Sequence, residues 1–350
     1  MRVKIITEID EFLQISEIWS RKYDEHKNIS FFQSFDWNYH WFINNLSNDN
    51  LFILLFYDQD YMQDSKLICP TFIDKKGCLR FISDIHSDLC DVISENISKS
   101  DCIKITDLFA ELVFSTNEIK KVNLINFSLN NSLVYILLKK INYNYYYSQI
   151  VSSAFFNLED GKIFPNSAQH FKSSNRKRIN KNIKKFLQYD SKLINSTLVD
   201  FPEVDILRLR DYMVNNKYRK LDFFNDKMIN TIKELYVKQL VEINMVSHAE
   251  EVKSIIIIFK NQQSYQLWVS LYVDQPHISI FTINSFLQLV KGDVRIDLGR
   301  GMYDFKIMNY APDVTELNEF FFSKNRFSFL IKIIIVKLKE MVKKIINFRI

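Results

Sequence analysis

The sequence predicts an α/β protein with mixed sheets, two domains and a basic helix at the end of the chain. Its 350 residues correspond to about two domains, at roughly 150 residues each. Segments in which apolar and polar residues alternate, as in a strand, are interspersed with segments whose apolar residues recur at helical spacing. Hydrophobic residues make up 47% and charged residues 25%, which is ordinary for a globular protein and excludes disordered or collagen-like chains.

The N-terminal half alternates between short strands and helices. Strands are predicted at Val3–Thr7, Leu51–Tyr57, Lys66–Phe72, Cys78–Ile82 and Val122–Phe127. Helices are predicted at Ile9–Lys22, Ser34–Asn45, Leu89–Ile93 and Leu133–Lys140. Ser34 is expected to cap the second of these helices. The aromatic run Tyr143–Tyr147 should lead into the next half.

The second half repeats this logic. Strands are predicted at Ala154–Leu158, Leu193–Leu198, Met245–His248, Ser254–Phe259, Tyr265–Tyr272, Arg295–Leu298 and Leu317–Phe322. Helices are predicted at 167–188, Val204–Asn215, Asp226–Val241 and Phe281–Leu289. We expect domains at 1–148 and 149–325 with a cleft between them, followed by a basic amphipathic helix at 326–350.

Rare glycines exclude several classes of site. The chain has 5 glycines, where average usage would give roughly 25. None can form the G-x-G-x-x-G loop of a standard dinucleotide site, a P-loop or the G-x-S-x-G elbow of a hydrolase.

The 4 cysteines are never spaced as C-x-x-C, so reduced, buried thiols are expected. No histidine pattern suggests a metal, and we expect none.

The sequence also predicts a cytoplasmic protein. Residues 1–10 are charged throughout and lack the apolar core of a signal peptide. No apolar run approaches the roughly 18 residues that a membrane span requires.

Charge is concentrated in two segments. Lys172–Lys185 holds seven basic residues and no acid, although the formal charge of the whole chain is only +5. Its helical pattern allows two interpretations, a solvated helix face or a cationic wall for phosphate groups that includes Arg176. Lys324–Ile350 holds eight basic residues against Glu340. The remainder of the chain is therefore acidic, which argues against a broad nucleic-acid surface.

The C-terminal segment carries an apolar stripe with a period near 3.6 residues. The stripe comprises Phe327, Leu330, Ile331, Ile334, Ile335, Leu338, Met341, Val342 and Ile345. Packing against the core is the favoured interpretation. Contact with an anionic membrane, at its inner face, is the alternative, because lysines lie beside the stripe.

Four patches together resemble one family. They read FFQSFDWNYHW at Phe31–Trp41, LRFISDIHSDLCDVI at Leu79–Ile93, SSNRKRINKNIKKF at 173–186, and IDLGRGMYDFK at Ile296–Lys306. Their order and spacing are similar to those of tandem GNAT-fold acyltransferases of the bacterial sugar N-acyltransferase type. This group is related to cellulose-cluster acetyltransferases and, more distantly, to the Fem peptidoglycan aminoacyltransferases.

The resemblance implies two GNAT-like domains in tandem, with acyl-CoA held by the C-terminal one and transfer to an amine or hydroxyl. The usual GNAT pyrophosphate loop is absent, and Phe305 stands where the signature has Tyr. In GNAT folds a splayed pair of strands exposes backbone N–H groups to the donor. The hairpin of Ser254–Phe259 and Tyr265–Tyr272, which carries Trp268, is the expected place.

The chemistry of acyl transfer suggests residues for the site. The acceptor amine must lose a proton, and the carbonyl oxygen must be stabilised. Asp297 or Asp304 is expected to act as base or to orient the acceptor, while Lys306 and Arg300 contact phosphate. Three glycines within 292–301 indicate a special backbone geometry here. The alternative is a plain strand and turn, in which Lys306 pairs with Asp304.

Further candidates carry open alternatives. His248 is either a base or a structural histidine. The acidic loop of Asp84, His86 and Asp88 either faces the cleft, where it binds sugar hydroxyls or takes the amine proton, or is a solvated loop. Gln33 and Trp37 either line the cleft or pack in the core.

The favoured function is an acyl-CoA-dependent N-acyltransferase that modifies a nucleotide-linked amino sugar, with dTDP or UDP as carrier, for surface polysaccharide synthesis. The acceptor attacks directly, so no covalent enzyme intermediate, metal or nucleic acid is expected. The alternatives are a Fem-like transferase that uses aminoacyl-tRNA, an O-acyltransferase acting on polysaccharide, and a non-enzymatic protein whose basic helices bind nucleic acid or a membrane surface. A Fem-like helical-arm insertion is not evident in the sequence.

Overall fold

The structure is a computed structural model. It describes residues 1–25, 29–46, 49–58, 65–94, 97–128, 145–158, 174, 177–178, 180–181, 184–185, 192–195, 200–261, 264–274, 278–310 and 312–347, with the side chains of 193, 195 and 339–347 excepted. The helix expected at Leu133–Lys140 and the candidate Arg176 lie outside these residues.

In chain order the elements are β1 (Arg2–Ile6), α1 (Ile9–Gln14), α2 (Ser16–Asp24), α3 (Phe35–Asn45), β2 (Asn50–Leu51), β3 (Ile53–Tyr57), β4 (Ser65–Cys69), β5 (Thr71–Ile73), β6 (Cys78–Phe81), β7 (Ile93–Ser94), α4 (Lys99–Ser115), β8 (Lys121–Ser128), β9 (Tyr145–Leu158), β10 (Lys192–Asn195), α5 (Glu203–Asn215), α6 (Asp226–Val237), β11 (Val241–His248), β12 (Glu251–Asn261), β13 (Ser264–Tyr272), α7 (Ile278–Leu287), β14 (Val294–Arg300), α8 (Asp304–Tyr310), β15 (Asp313–Ser323) and α9 (Arg326–Asn347).

Contacts divide the chain into two compact units. The first unit comprises Met1–Glu25, Asn48–Ile150 and Glu316–Ile350, and the second comprises His26–Ser47 and Val151–Thr315. The domains predicted from the sequence are continuous stretches, whereas these units are interleaved along the chain.

The first unit contains a four-stranded antiparallel sheet in the order β1-β3-β4-β7. It also contains the strand order β2-β5-β6-β8-β15. Apolar residues of α4, spaced at helical intervals, pack with these strands: Cys102, Ile105, Phe109 and Val113. All four cysteines are free and buried, as expected. Burial raises the pKa of the Cys69 and Cys78 thiols to about 12, which keeps them protonated.

The second unit is built on strands in the order β10-β11-β12-β13-β14-β9. Every neighbouring pair is antiparallel except β13 and β14, which are parallel and joined through α7. The run Ser254–Phe259 in β12 is buried at every residue, as expected for a strand covered on both faces. Both α5 and α7 contact this sheet.

One predicted helix is absent, and two helices of the structure were not predicted. Leu89–Ile93 is not helical: residues 89–92 form no regular element, the Cys90 N–H donates to the carbonyl of Asn126 at 2.7 Å, and β7 begins at Ile93. A five-residue apolar run cannot by itself distinguish strand from helix. The helices α4 and α8 were not predicted, although Ser98 caps α4 through the Asp101 N–H.

The C-terminal stripe is not packed into a core. Its described members are 42% to 70% exposed, apolar, and aligned along the outer side of α9: Phe327, Leu330, Ile331, Ile334, Ile335 and Leu338. The half-buried face is a different one, formed by Phe329, Lys332, Ile333 and Val336. The favoured interpretation of the stripe is therefore wrong for these residues.

Candidate functional site

The parallel strands β13 and β14 pair over only a short length. Their aligned residues are Ser264 with Arg295, Tyr265 with Ile296, and Gln266 with Asp297. Beyond Gln266 the strand β13 continues to Tyr272 beside β12 alone, while β14 follows β9. The two strands thus part at Asp297. A strand edge freed in this way is suited to pair with an extended amide chain.

The strands in which we expected this splaying do not part. The hairpin strands β12 and β13 remain paired from Ser254 opposite Tyr272 to Asn261 opposite Ser264. The expectation that these two strands splay apart is therefore wrong. A short hairpin loop keeps its strands together, whereas the crossover through α7 lets β13 and β14 diverge.

A bulge marks the point where β14 leaves β13. Asp297 lies opposite Phe155 of β9 and Arg300 lies opposite Ser153, so β14 advances three residues while β9 advances two. Gly299 and Gly301 have φ angles of +77° and +86°, in the left-handed region. The special backbone geometry expected from the clustered glycines is confirmed.

Lys306 holds the bulge from within. This side chain is 4% exposed, and its Nζ donates to the carbonyl oxygens of Gly299 and Arg300, both at 2.9 Å. The Nζ also lies 5.3 Å from the centre of the Tyr303 ring. Its ammonium is thus engaged by the backbone of the turn. A contact between Lys306 and a phosphate stays a prediction.

Asp297 is oriented by neighbouring donors. Its Oδ1 accepts from the Gly299 N–H at 2.7 Å and from the Ser153 hydroxyl at 3.3 Å. The other oxygen, Oδ2, lies 3.9 Å from Nη2 of Arg295, whose guanidinium stacks 3.5 Å above the Phe155 ring. Burial lowers the pKa of Arg295. The side chain of Asp297 is 17% exposed, so a small group can reach the fixed carboxylate.

Asp304 and Arg300 lie beside the bulge. Asp304 is exposed at the first position of α8, and Arg300 is half-buried at the end of β14. Arg178 of the basic segment approaches the same helix, with its Nη1 at 3.0 Å from the sulfur of Met308. The described basic residues of this segment are helical and exposed: Lys177, Arg178, Lys181, Lys184 and Lys185.

His248 does not lie near Asp297 and the bulge of β14. It pairs with Glu251 at one end of β12, whereas Asp297 is aligned through Gln266 with Phe259 towards the other end. Phe259 follows Glu251 by eight positions along the strand, about 26 Å at roughly 3.3 Å per residue. The register of three strands thus keeps His248 away from Asp297, so the two residues do not form one catalytic site.

The acidic loop is buried in the first unit. Asp84 is 0% exposed and His86 and Asp88 are nearly so. The Asp84 carboxylate accepts from Arg80 through both oxygens, at 2.9 Å and 2.7 Å. The Asn126 amide donates to the carbonyl of Asp84 at 2.7 Å. The interpretation as a solvated loop is wrong, since these polar groups turn inward, and a role in substrate binding stays a prediction.

Trp37, Trp268 and Gln33 belong to the packing of the second unit. Trp37 is fully buried and lies edge-on to Trp268 at 5.6 Å between ring centres. Both rings contact Phe259. The Gln33 side chain accepts from the Ser30 N–H in a capping box. These contacts place Gln33 and Trp37 in the packing of the core, which was the alternative to lining the cleft.

Ser153 and Gln266 were not predicted from the sequence. Ser153 contacts Asp297, and Gln266 lies opposite Asp297 and accepts from the Ser30 hydroxyl at 3.2 Å. Neither residue belongs to a motif, because each is brought to the bulge by strand register. In the part of the chain that the structure describes, no group of three His, Cys, Asp or Glu residues is placed to hold a metal ion.

Comparisons with known proteins identify the fold. No family model matches the chain, and no curated protein matches it. The chain is similar in structure to FemX, with a TM-score of 0.60 at 9% identity, covering 95% of this chain and 99% of FemX. It is similar to L-PGS from Bacillus licheniformis, with a TM-score of 0.55 at 13% identity and 91% of both chains covered.

A third similar structure is a tandem GNAT protein from the clavulanic acid biosynthesis pathway. Its TM-score is 0.52 at 8% identity, with 91% of this chain and 98% of that chain covered. At these identities the likeness establishes the fold. The predicted α/β class, with GNAT-like domains in tandem, is thereby confirmed.

Proposed function

We propose that the chain is an acyltransferase that binds its donor where β13 and β14 part. The observation that carries this proposal is the short parallel ladder, which ends at Gln266 and Asp297 beside a bulge held by Lys306. The freed edge of β13 offers backbone donors and acceptors to the amide groups of an acyl-CoA. The same edge is suited to stabilise the oxygen of the thioester carbonyl.

The proposed reaction is direct acyl transfer to an amine. The acceptor nitrogen attacks the thioester carbon, the new C–N bond forms, and the C–S bond breaks to release the CoA thiolate. Asp297 orients the acceptor and takes the ammonium proton through Oδ2, while Gly299 and Ser153 hold Oδ1. Asp304, exposed beside the bulge, is the alternative base.

The proposed acceptor is a nucleotide-linked amino sugar with dTDP or UDP as carrier. Exposed basic residues of the segment that contacts α8 support a diphosphate ligand, because Lys and Arg hydrogen-bond phosphate oxygens strongly. Modification of such a sugar would place the enzyme in surface polysaccharide synthesis, in the cytoplasm where nucleotide sugars are made.

The test is transfer measured by mass spectrometry, with acetyl-CoA and amino sugars on dTDP or UDP. We expect Asp297→Asn to lower turnover by at least about tenfold, since a positioned base contributes that much or more. Asp293→Asn is the matched control, because Asp293 is exposed and lies outside the bulge. Equal rates for the wild type and Asp297→Asn would remove Asp297 from the mechanism.

A Fem-like transferase that uses aminoacyl-tRNA is the second candidate. The likeness to FemX supports it, and so does the exposed basic segment, which would suit the phosphates of RNA. Transfer from charged tRNA that is abolished by ribonuclease, together with no transfer from acyl-CoA, would favour this candidate over the first.

A further inference from the structure

The outer face of α9 is an unusual surface for a globular protein. Phe327 is 70% exposed, Ile334 56% and Leu338 51%. These residues share one side of the helix with Leu330 and Ile331, and the stripe extends for about 16 Å at 1.5 Å per residue. A continuous exposed apolar face of this kind marks an interaction surface.

The helix is tied to its unit by the opposite face. Lys332 donates to the Glu319 carboxylate of β15 at 2.5 Å and lies 5.3 Å from the Phe321 ring. This contact directs the half-buried face of α9 towards β15. The exposed stripe therefore points away from the strands that hold the helix.

A cationic pocket adjoins the first turn of the helix. It has a volume of about 650 Å³ and includes Ser328 of α9. Four lysines line it: Lys76, Lys120, Lys121 and Lys324. The described lining contains no acid, although Glu118 lies close enough to Lys324 to interact with it. The apolar stripe and the basic pocket thus meet at one end of α9.

We propose that this stripe and pocket together dock the protein on an anionic phospholipid bilayer. The apolar side chains enter the boundary between headgroups and acyl chains, while the exposed Lys76 and Lys120 of the pocket hold lipid phosphates. Lys337, exposed on α9, adds to the same attraction. Within the described residues no helix is long and apolar enough to cross the bilayer.

Charge favours lipid over a second copy of the chain. Residues 324–350 hold eight basic residues and one acid, so two such helices brought together would repel each other. An anionic bilayer neutralises the same charges. The proposal is independent of the proposed transferase activity, since it involves other residues and its measurement requires neither donor nor acceptor.

The experiment is sedimentation of the full-length protein with vesicles. One set contains phosphatidylcholine alone, and the other contains equal parts of phosphatidylcholine and phosphatidylglycerol. We expect the protein to pellet with the anionic vesicles at low salt and to be released as salt increases. Failure to pellet with anionic vesicles, or equal binding to both sets, would overturn the proposal.

Two double variants separate the parts of the surface. Ile334→Gln with Leu338→Gln removes apolar contact, and Lys76→Glu with Lys120→Glu reverses charge in the pocket. We expect each pair to lower the partition onto anionic vesicles by at least about tenfold. The first pair removes apolar contact with the bilayer, and the second removes attraction to anionic headgroups. All four residues are exposed, so circular dichroism should report an unchanged fold.

Matched controls carry the same changes elsewhere. Val204→Gln with Val237→Gln alters two highly exposed apolar residues, and Lys99→Glu with Lys104→Glu reverses two exposed charges on α4. Both controls should bind like the wild type. A wild-type dimer that the stripe variant converts to monomer, without vesicle binding, would instead assign the surface to self-association and disprove docking on lipid.

Discussion

The ammonium group of Lys306 provides two of the hydrogen bonds that hold the bulge of β14. It lies in a buried position, where Gly299 and Arg300 direct their carbonyl oxygens at it. Buried carbonyls that lose such a donor pay the desolvation penalty of an unsatisfied group. Lys306 is therefore a structural requirement of the candidate site, whatever ligand the site binds.

Replacement of Lys306 tests this role. We expect Lys306→Met to lower the free energy of unfolding by about 2–4 kcal/mol, since two buried carbonyls lose their donor. Chemical denaturation measures the change, with Lys291→Met, an exposed position in the same unit, as control. If Lys306→Met unfolds at the same denaturant concentration as the control, the bulge does not depend on this side chain.

Asp91 gives the first unit a dependence on pH. Burial raises the pKa of its carboxyl from 3.8 to about 7, so the folded protein keeps a proton that the unfolded chain releases. The folded state then binds more protons than the unfolded state. The stability that protonated Asp91 contributes is fully present below about pH 4 and is lost as the pH rises towards 7.

Asp91→Asn should remove this dependence. The amide oxygen can still accept from the Val92 N–H, which donates to Oδ1 at 2.8 Å in the wild type. We expect the variant to be more stable than the wild type above about pH 7, by a few kcal/mol, and similar to it below about pH 4. Denaturation across this range is the measurement, and the exposed Asp107→Asn is the control. Parallel curves for the wild type and Asp91→Asn would contradict the assignment.

At the scale of elements, the arrangement of β13, α7, β14 and α8 decides where the site lies. The strands and their hydrophobic runs were predictable, because alternation and apolar runs are local properties. Which strands part was not predictable from the sequence. The hairpin of β12 and β13 carries the stronger sequence signal, yet it is β13 and β14 that separate.

The glycines around β14 offer a matched pair of variants. Gly292 and Gly301 have φ angles of +82° and +86°, so alanine at either position is strained by roughly 1 kcal/mol. A Cβ at Gly292 meets open space, whereas one at Gly301 would lie 2.8 Å from the Tyr303 ring and displace it from Lys306. We expect similar losses of stability but reduced transfer only in Gly301→Ala. Comparable activity in the two variants would exclude Tyr303 and the bulge from the site.

The C-terminal helix shows the same limit of local patterns. A period near 3.6 residues predicted α9 correctly, with its stripe on one side. The pattern cannot state what covers an apolar face. In the structure the half-buried face is centred on Lys332 and Ile333, and the predicted stripe is left exposed.

At the scale of the whole molecule, ligand binding should appear as thermal stabilisation. We expect CoA or acetyl-CoA at about 100 times its dissociation constant to stabilise the protein by roughly 2.7 kcal/mol. A further shift with dTDP or UDP would support the nucleotide sugar as acceptor. A shift with CoA alone would point to a polysaccharide or lipid-linked acceptor, and none with either CoA species would favour the aminoacyl-tRNA candidate.

The interleaving of the two units also belongs to this scale. Residues 26–47 group with the later part of the chain, and 316–350 with the earlier part. Composition shows no strong linker at either place. Contacts between segments distant in sequence therefore define the units, and boundaries drawn along the chain do not capture them.

The sequence by itself determined the α/β class, most strands and helices, the reduced state expected of the cysteines, and the unusual backbone near Gly299 and Gly301. These depend on local periodicity and on conformations that few residues adopt. Only the tertiary structure placed Ser153 against Asp297, turned Lys306 into the bulge and put His248 and Asp297 towards opposite ends of β12. Strand register sets such distances, and register depends on the packing of segments far apart in the chain.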